Sequence, residues 1–286
     1  MPSFFIAALG QAELPEGVDT QVAAILGLIL VTLACWFYGW VFLTVSRSGR
    51  QKVSVESFGP AELAVGLIWC ALFFVLAWQS QSLAETNETT DPAAMALGGM
   101  LTVMVVQLVI FAVPLTVICW RGYDPLHVLG MNKIGFLPSL GWSMVFLLAV
   151  YPVLGLISSL LYQIYGGRPD PQPVLEMIKQ APNAESQIVM IAMAIIIAPI
   201  CEEFVYRGFL YPALKRYVGL TMAMLLSALL FGLAHMHAPA VLPLMFLGII
   251  LVLAYEFTGS LIVPMTIHAL FNAATLAMLH FIPELR

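Results

Sequence analysis

Apolar residues in this chain come in long unbroken runs separated by short polar stretches. A helix rises about 1.5 Å per residue, so roughly 20 such residues cross roughly 30 Å of hydrocarbon. The runs predict eight spanning helices, over 21–45, 61–80, 94–119, 139–163, 187–212, 220–236, 240–255 and 261–280. The last three are short, and turns are expected at Gly219, at Ala238-Pro239 and at Thr258-Gly259-Ser260. A membrane β-barrel would alternate polar and apolar residues over about ten positions, and these runs do not. The expected fold is all-α: a polytopic membrane protein of about eight transmembrane helices around an intramembrane polar cavity, as one domain over 1–286.

Composition narrows the class. Of 286 residues, 61% are apolar and 9% charged, against about 45–50% and about 25% in a soluble domain. A water-soluble globule could not cover its surface with so little charge. The 11 Lys and Arg against 16 Asp and Glu form no basic patch, so no nucleic-acid partner is expected.

The basic residues also give an orientation. Arg47, Arg50 and Lys52 follow the first run, Arg121 and Lys133 the third, and Lys215 and Arg216 the fifth. The intervening segments hold Glu85, Glu88 and Asp91, or mixed charge over 164–186, and Glu13, Glu16 and Asp19 precede the first run. Basic loops belong in the cytoplasm, which puts both termini outside. Met1 to Ala12 has no basic n-region and reads as an interfacial tail rather than a cleaved signal peptide. Cys35, Cys70, Cys119 and Cys201 fall inside predicted helices without CxxC spacing and read as small buried apolar residues. Asn87-Glu88-Thr89 fits a glycosylation sequon on an outside loop.

Ionisable groups within a bilayer are costly, so each is a functional candidate. The first four helices hold almost none; Glu62 stands at a helix entrance, where an acid suits the N-terminal dipole. The exceptions gather in the last hundred residues: Glu202, Glu203 and Arg207 in the fifth helix, Phe231 and His235 in the sixth, His268 and Asn272 in the eighth. Residues four apart share a helix face, so Glu203 and Arg207 are neighbours, as are His268 and Asn272. Glu202 is turned about 100° from Glu203 and faces elsewhere. A hairpin at Gly219 would set Glu202 and His235 at similar depth. Pro114, Pro152, Pro199 and Pro264 are ordinary in membrane helices, where neighbours re-satisfy the freed carbonyls.

Bland readings exist for the parts. A Glu–Arg pair can be a clamp between helices, and a single His near a helix end is often just hydrogen-bonded. His127, His237 and His280 carry weaker claims. The convergence of two carboxylates, an Arg, two His and an Asn on three helices is what favours chemistry. A carboxylate shielded from bulk water can take a proton from a nucleophilic water, with an imidazole beside it to share that proton. Another imidazole and an amide can donate to the oxyanion of a tetrahedral intermediate. Glu202, His235 and His268 could instead hold zinc, and spacing alone leaves both schemes open. HExxH, a serine-nucleophile elbow and paired intramembrane Asp are all missing. A proton- or cation-coupled transporter would call for inverted repeats, which the sequence does not contain; a non-catalytic scaffold would not need the polar residues intact.

Glu202-Glu203-x-x-x-Arg207, Phe231-x-x-x-His235 and His268-x-x-x-Asn272 resemble, in order, the EExxxR, FxxxH and HxxxN/D motifs of the CPBP family (CAAX protease and bacteriocin-processing, or Abi). That family includes the type II CAAX prenyl endopeptidases. The resemblance covers about 187–275. It implies an eight-helix intramembrane endopeptidase, with 187–280 as the catalytic part. Glu202 would activate water with help from His235, and His268 with Asn272 would form the oxyanion site. Glu203 and Arg207 would support the helix, and Phe231 would pack beside His235. A metal-free, glutamic-type mechanism with no cofactor is preferred, because Asn is a poor zinc ligand. The implied partner is a membrane-associated protein or peptide, lipidated in the eukaryotic relatives. The implied location is a bacterial inner membrane.

Overall fold

A computed structural model describes residues 20–47, 50–86, 105, 108–109, 111–167, 173–179, 181 and 183–281. Among these there is no strand. Helix α1 is Thr20–Ser46, α2 is Pro60–Thr86, α3 is Phe111–Trp120 and α4 is Phe136–Tyr165. A short helix, α5, covers Pro173–Lys179. Helix α6 runs over 184–218 and α7 over 220–234, then α8 is Ala238–Thr258 and α9 is Ile262–Phe281.

The breaks follow residue chemistry. Asn183 caps α6, its side chain accepting from the Ser186 amide at 2.8 Å. Gly219 stands at φ 75°, ψ 175°, a conformation open essentially to glycine alone, and the hairpin predicted there turns on it. Gly166 and Gly259 close α4 and α8 in the left-handed region. Gly130 packs directly onto the Gly259 carbonyl, where a Cβ has no room.

Among the described residues, four helical stretches are long and apolar enough to cross a membrane: Gln21–Ser46, Phe136–Tyr165, Ala184–Ala234 and Ala238–Thr258. Pro60–Leu72, Phe111–Trp120 and Ile262–Met278 are shorter apolar helices. Of the eight predicted runs, those over 61–80, 94–119 and 261–280 thus meet shorter apolar helices among the described residues. The 51-residue stretch holds two of the predicted helices folded at Gly219, and most of the run predicted over 94–119 lies outside the described residues, as do Met1 to Ala12 and the Asn87 sequon. The chain is an integral membrane protein, and its outer helices carry the signature. Trp36, Leu148 and Trp120 are 70%, 65% and 86% exposed, an arrangement stable against lipid and not against water. Cys35 and Cys119 share this outward position and are exposed, correcting their expected burial; Cys70 and Cys201 are buried.

Burial is concentrated in α8 and the parts of α6 and α7 against it: Glu203 through Lys215 are all buried. The outer helices lock on by cross-links. Tyr38 Oη donates to the Phe146 carbonyl at 2.7 Å, Ser143 Oγ to the Val263 carbonyl at 3.2 Å, and the Leu261 amide to the Leu129 carbonyl at 3.1 Å. At the entrance of α2, Glu62 accepts from the Gly59 amide at 2.6 Å and lies 3.3 Å from Arg121 Nε, so it serves the helix start as expected and gains a cation.

The basic loops meet at one end of the molecule. Lys133 Nζ donates to the Lys52 carbonyl at 3.0 Å, and Lys215 Nζ to the Val53 carbonyl at 2.9 Å. Arg216 Nη1 reaches the Phe58 carbonyl at 2.5 Å. Every second loop therefore shares a face, the geometry that alternating spans require.

Candidate active site

Helix α6 is not uniformly α-helical. Ala184–Ala192 and Ala198–Glu203 are α, whereas Met193–Ile197 and Phe204–Leu210 are π. Each π segment ends two residues before a proline, Pro199 and Pro212. Proline has no N–H to give back along the helix, so the ladder must rearrange around it. Glu202 and Glu203 end the short α segment between the two widened turns.

The first π segment also explains Asn272. In i→i+5 bonding the Ala194 carbonyl would accept from residue 199, which is a proline. Asn272 Nδ2 takes that acceptor instead, at 2.8 Å. The amide thus ties α9 to α6, a contact that the sequence signalled only as an unassigned freed carbonyl.

Glu203 is the hub of the buried polar set. Its Oε1 accepts from Arg207 Nη1 at 2.7 Å and from His268 Nδ1 at 2.9 Å. The side chains of Glu203 and Arg207 are fully enclosed. The Arg207 guanidinium lies 4.3 Å from the centre of the Phe231 ring, a distance suited to cation–π attraction. Room for it comes from Gly248 on α8, where a Cβ would sit 3.2 Å from Nη2. Phe231 meets His235 and His268 edge to face, at 5.1 and 5.6 Å between centres. It therefore packs against three of the polar residues, not His235 alone.

With Nδ1 donating to Glu203, His268 turns Nε2 toward Glu202 Oε2, 3.9 Å away. That is too long for a direct hydrogen bond, and Glu202 Oε2 has no hydrogen-bond partner among the described residues. Glu202 is 24% exposed where Glu203 is not exposed at all. His235 Nδ1 donates to the Phe231 carbonyl at 2.9 Å, which leaves Nε2 with its lone pair. Glu202 and His235 line one small cleft of about 90 Å³ with Trp69, Cys70, Val205, Tyr206 and Ala234. His268 and Asn272 are not among the residues lining it. The cleft walls are mainly apolar, with the Glu202 carboxylate and the His235 imidazole beside the Cys70 thiol and the Tyr206 side chain. Among the described residues, no group of three or more His, Cys, Asp or Glu is placed to hold a metal ion. His127 sits in the single turn Pro125–Val128, and His237 precedes α8.

Residues 184–274 match the family model "Type II CAAX prenyl endopeptidase Rce1-like". This part of the chain is similar to that family. The matched stretch contains Glu202, Glu203, Arg207, Phe231, His235, His268 and Asn272. Among curated proteins, the chain is 34% identical over 125 residues to "Membrane-embedded CAAX protease MroQ" of Staphylococcus aureus (strain USA300), covering 41% of this chain and 48% of that one. It is 28% identical over 127 residues to "Putative membrane peptidase YdiL" of Bacillus subtilis (strain 168), covering 43% of this chain and 50% of that one. The chain spans about half the length of the curated relatives it matches. No solved structure matches the chain significantly.

One buried cluster escaped the sequence reading. Glu256 Oε1 accepts from Tyr211 Oη at 2.8 Å and from Lys215 Nζ, while Oε2 accepts from the Lys52 and Val53 amides at 3.1 and 3.4 Å. The run predicted over 240–255 stops one residue short of it. The available signal was an acid at the end of an apolar helix opposite a loop rich in Lys and Arg.

Proposed function

We propose that this protein is an intramembrane endopeptidase that hydrolyses a peptide bond with a water activated by Glu202. The observation that carries this reading is the split between the paired carboxylates. Glu203 is fully committed on one oxygen to Arg207 and His268, whereas Glu202 is partly open, lines a cleft with His235 and has an unpartnered oxygen.

In this mechanism Glu202 takes a proton from water, and the lone pair on His235 Nε2 helps to orient that water. The water oxygen attacks the carbonyl carbon, and the former double-bond electrons move to oxygen. His268 as the imidazolium, its Nδ1–H held by Glu203 and its Nε2–H left free, and the second N–H of the Asn272 amide donate to that oxyanion. Collapse of the intermediate breaks the C–N bond, and the proton held by Glu202 passes to the leaving nitrogen. Glu203 and Arg207 hold the helix and the His268 ring without touching substrate.

We prefer the metal-free form of this scheme, because Glu202, His235 and His268 do not converge as a ligand set and Asn is a poor zinc ligand. Stoichiometric zinc in purified protein together with chelator-sensitive cleavage would replace it with zinc chemistry on the same residues. The proposed substrate is a membrane-associated protein or peptide, lipidated or not, and the proposed location is a bacterial inner membrane with both termini outside. The deciding experiment compares the termini of membrane proteins and peptides in cells carrying wild-type or Glu202→Gln protein. The reading requires termini that appear only with wild-type protein; equal termini at equal protein levels would end it.

A further inference from the structure

We infer that Trp69 of α2 is a substrate-contacting residue, its indole N–H donating to a peptide carbonyl of an apolar segment held in the cleft beside Glu202. This rests on the proteolytic reading above and adds a substrate class and a contact from outside the stretch that matches the family model. Trp69 lines the same cleft as Glu202 and His235. Its Nε1 is buried and has no hydrogen-bond partner among the described residues. A buried N–H without an acceptor costs about 1–3 kcal/mol, and tryptophans normally find one. The neighbouring walls are Cys70, Val205 and Ala234, which offer no charge to a polar side chain. The cleft thus combines three features: a lining residue, Trp69, with a buried N–H that has no acceptor; the proton-handling pair Glu202 and His235 with the Tyr206 side chain beside it; and apolar surface between them. An extended peptide with small or branched apolar side chains meets all three, since each of its residues brings a carbonyl acceptor. Away from Glu202 and His235, a charged side chain would stand unpaired against the apolar walls. In this arrangement α2 reads substrate while α6 and α7 act on it.

The test uses the full chain in detergent micelles, with Trp indoles labelled with ¹⁵N, in the Glu202→Gln background so that peptides are not consumed. The probes are N-acetylated, C-amidated tetrapeptides of Ala, Leu and Val, with matched peptides carrying Asp or Lys. The Trp69 indole signal, identified by its loss in Trp69→Phe, should move downfield on saturation with an apolar peptide as it gains an acceptor. Trp69→Phe keeps the ring and removes the N–H, and should weaken apolar peptide binding about fivefold to tenfold, the worth of one hydrogen bond. The Asp and Lys peptides should bind more weakly in both proteins. An unmoved signal at saturation, equal binding by Trp69→Phe, or no saturable binding of any apolar peptide would each overturn the inference. Its failure is separable from that of the proteolytic reading, which stands or falls on cleavage by wild-type and Glu202→Gln protein in cells.

Discussion

Two buried carboxylate clusters stand on α6 and its neighbours, and they are finished to different degrees. At the basic end, Glu256 receives Tyr211, Lys215 and two backbone amides. None of its side-chain atoms is without a partner among the described residues. At the other cluster, Glu202 Oε2, Glu203 Oε2 and the Nε and Nη2 of Arg207 are all buried without hydrogen-bond partners. Native proteins satisfy nearly all buried polar groups, so leftovers ask for a reason. A staple has no use for spare donors and acceptors; a site that must receive water, a peptide bond and a proton does. Glu256 is therefore read as structure, and the Glu202–Glu203 set as chemistry held by structure.

The largest expected effect tests the unfinished cluster. Glu202→Gln should lower cleavage about 10³-fold, within the range for loss of a general base. The thermal midpoint in detergent should stay close to wild type, because no hydrogen bond of the described structure uses the Glu202 carboxylate and its ion-pair contact, with His268 Nε2, is a long 3.9 Å. Fully retained cleavage would make the unpartnered oxygen an accident of packing.

The finished cluster should respond in the opposite manner. Glu256→Gln leaves Lys215 buried beside a neutral amide, and losing one partner of a buried pair costs about 3–5 kcal/mol. Denaturant unfolding should show that loss, while cleavage per folded molecule stays near wild type. Normal stability with lost cleavage would reverse the division of labour between the clusters.

Glu203→Gln should fall between these extremes. It strands the fully buried Arg207 guanidinium and loses the aim of His268, so stability should drop by about 3–5 kcal/mol, as at Glu256. Cleavage by the folded fraction should also fall, through loss of the His268 orientation. A stability loss alone would reduce Glu203 to a clamp.

These contrasts also mark what the residue order could and could not disclose. The pairing of Glu203 with Arg207 and the hairpin at Gly219 were readable because both are local: one follows from helical spacing, the other from the glycine. The apolar runs disclosed an all-helical membrane protein, but not where a run becomes a full span, because that depends on lipid contact and on neighbouring helices. The contact of His268 with Glu203 joins residues 65 apart, and spacing within a helix has no information about it. Asn272 on the Ala194 carbonyl needed both the π turn before Pro199 and the approach of α9. The cluster at Glu256 was hidden for a simpler reason: its partners are side chains near the end of α6 and backbone amides of the loop after α1, and charged residues near a helix end ordinarily face water.

The smallest effect expected tests whether packing at Phe231 belongs to the site or only supports it. Phe231 is fully buried, with the Arg207 guanidinium over its face and the edges of two imidazoles around it. Phe231→Leu keeps the site apolar and roughly filled while removing the ring electrons. Cation–π attraction with a desolvated Arg is worth about 1–2 kcal/mol, so unfolding free energy should drop by about that much. Arg207 would keep its 2.7 Å contact with Glu203, and cleavage should fall only a few-fold as the two rings lose their common support. Phe231→Ala removes volume as well and should cost about 3–5 kcal/mol through the cavity it leaves. If leucine proved as harmful as alanine, the aromatic face over Arg207 would matter more than filled space, and Phe231 would count with Glu203 among the groups that hold the polar set in register.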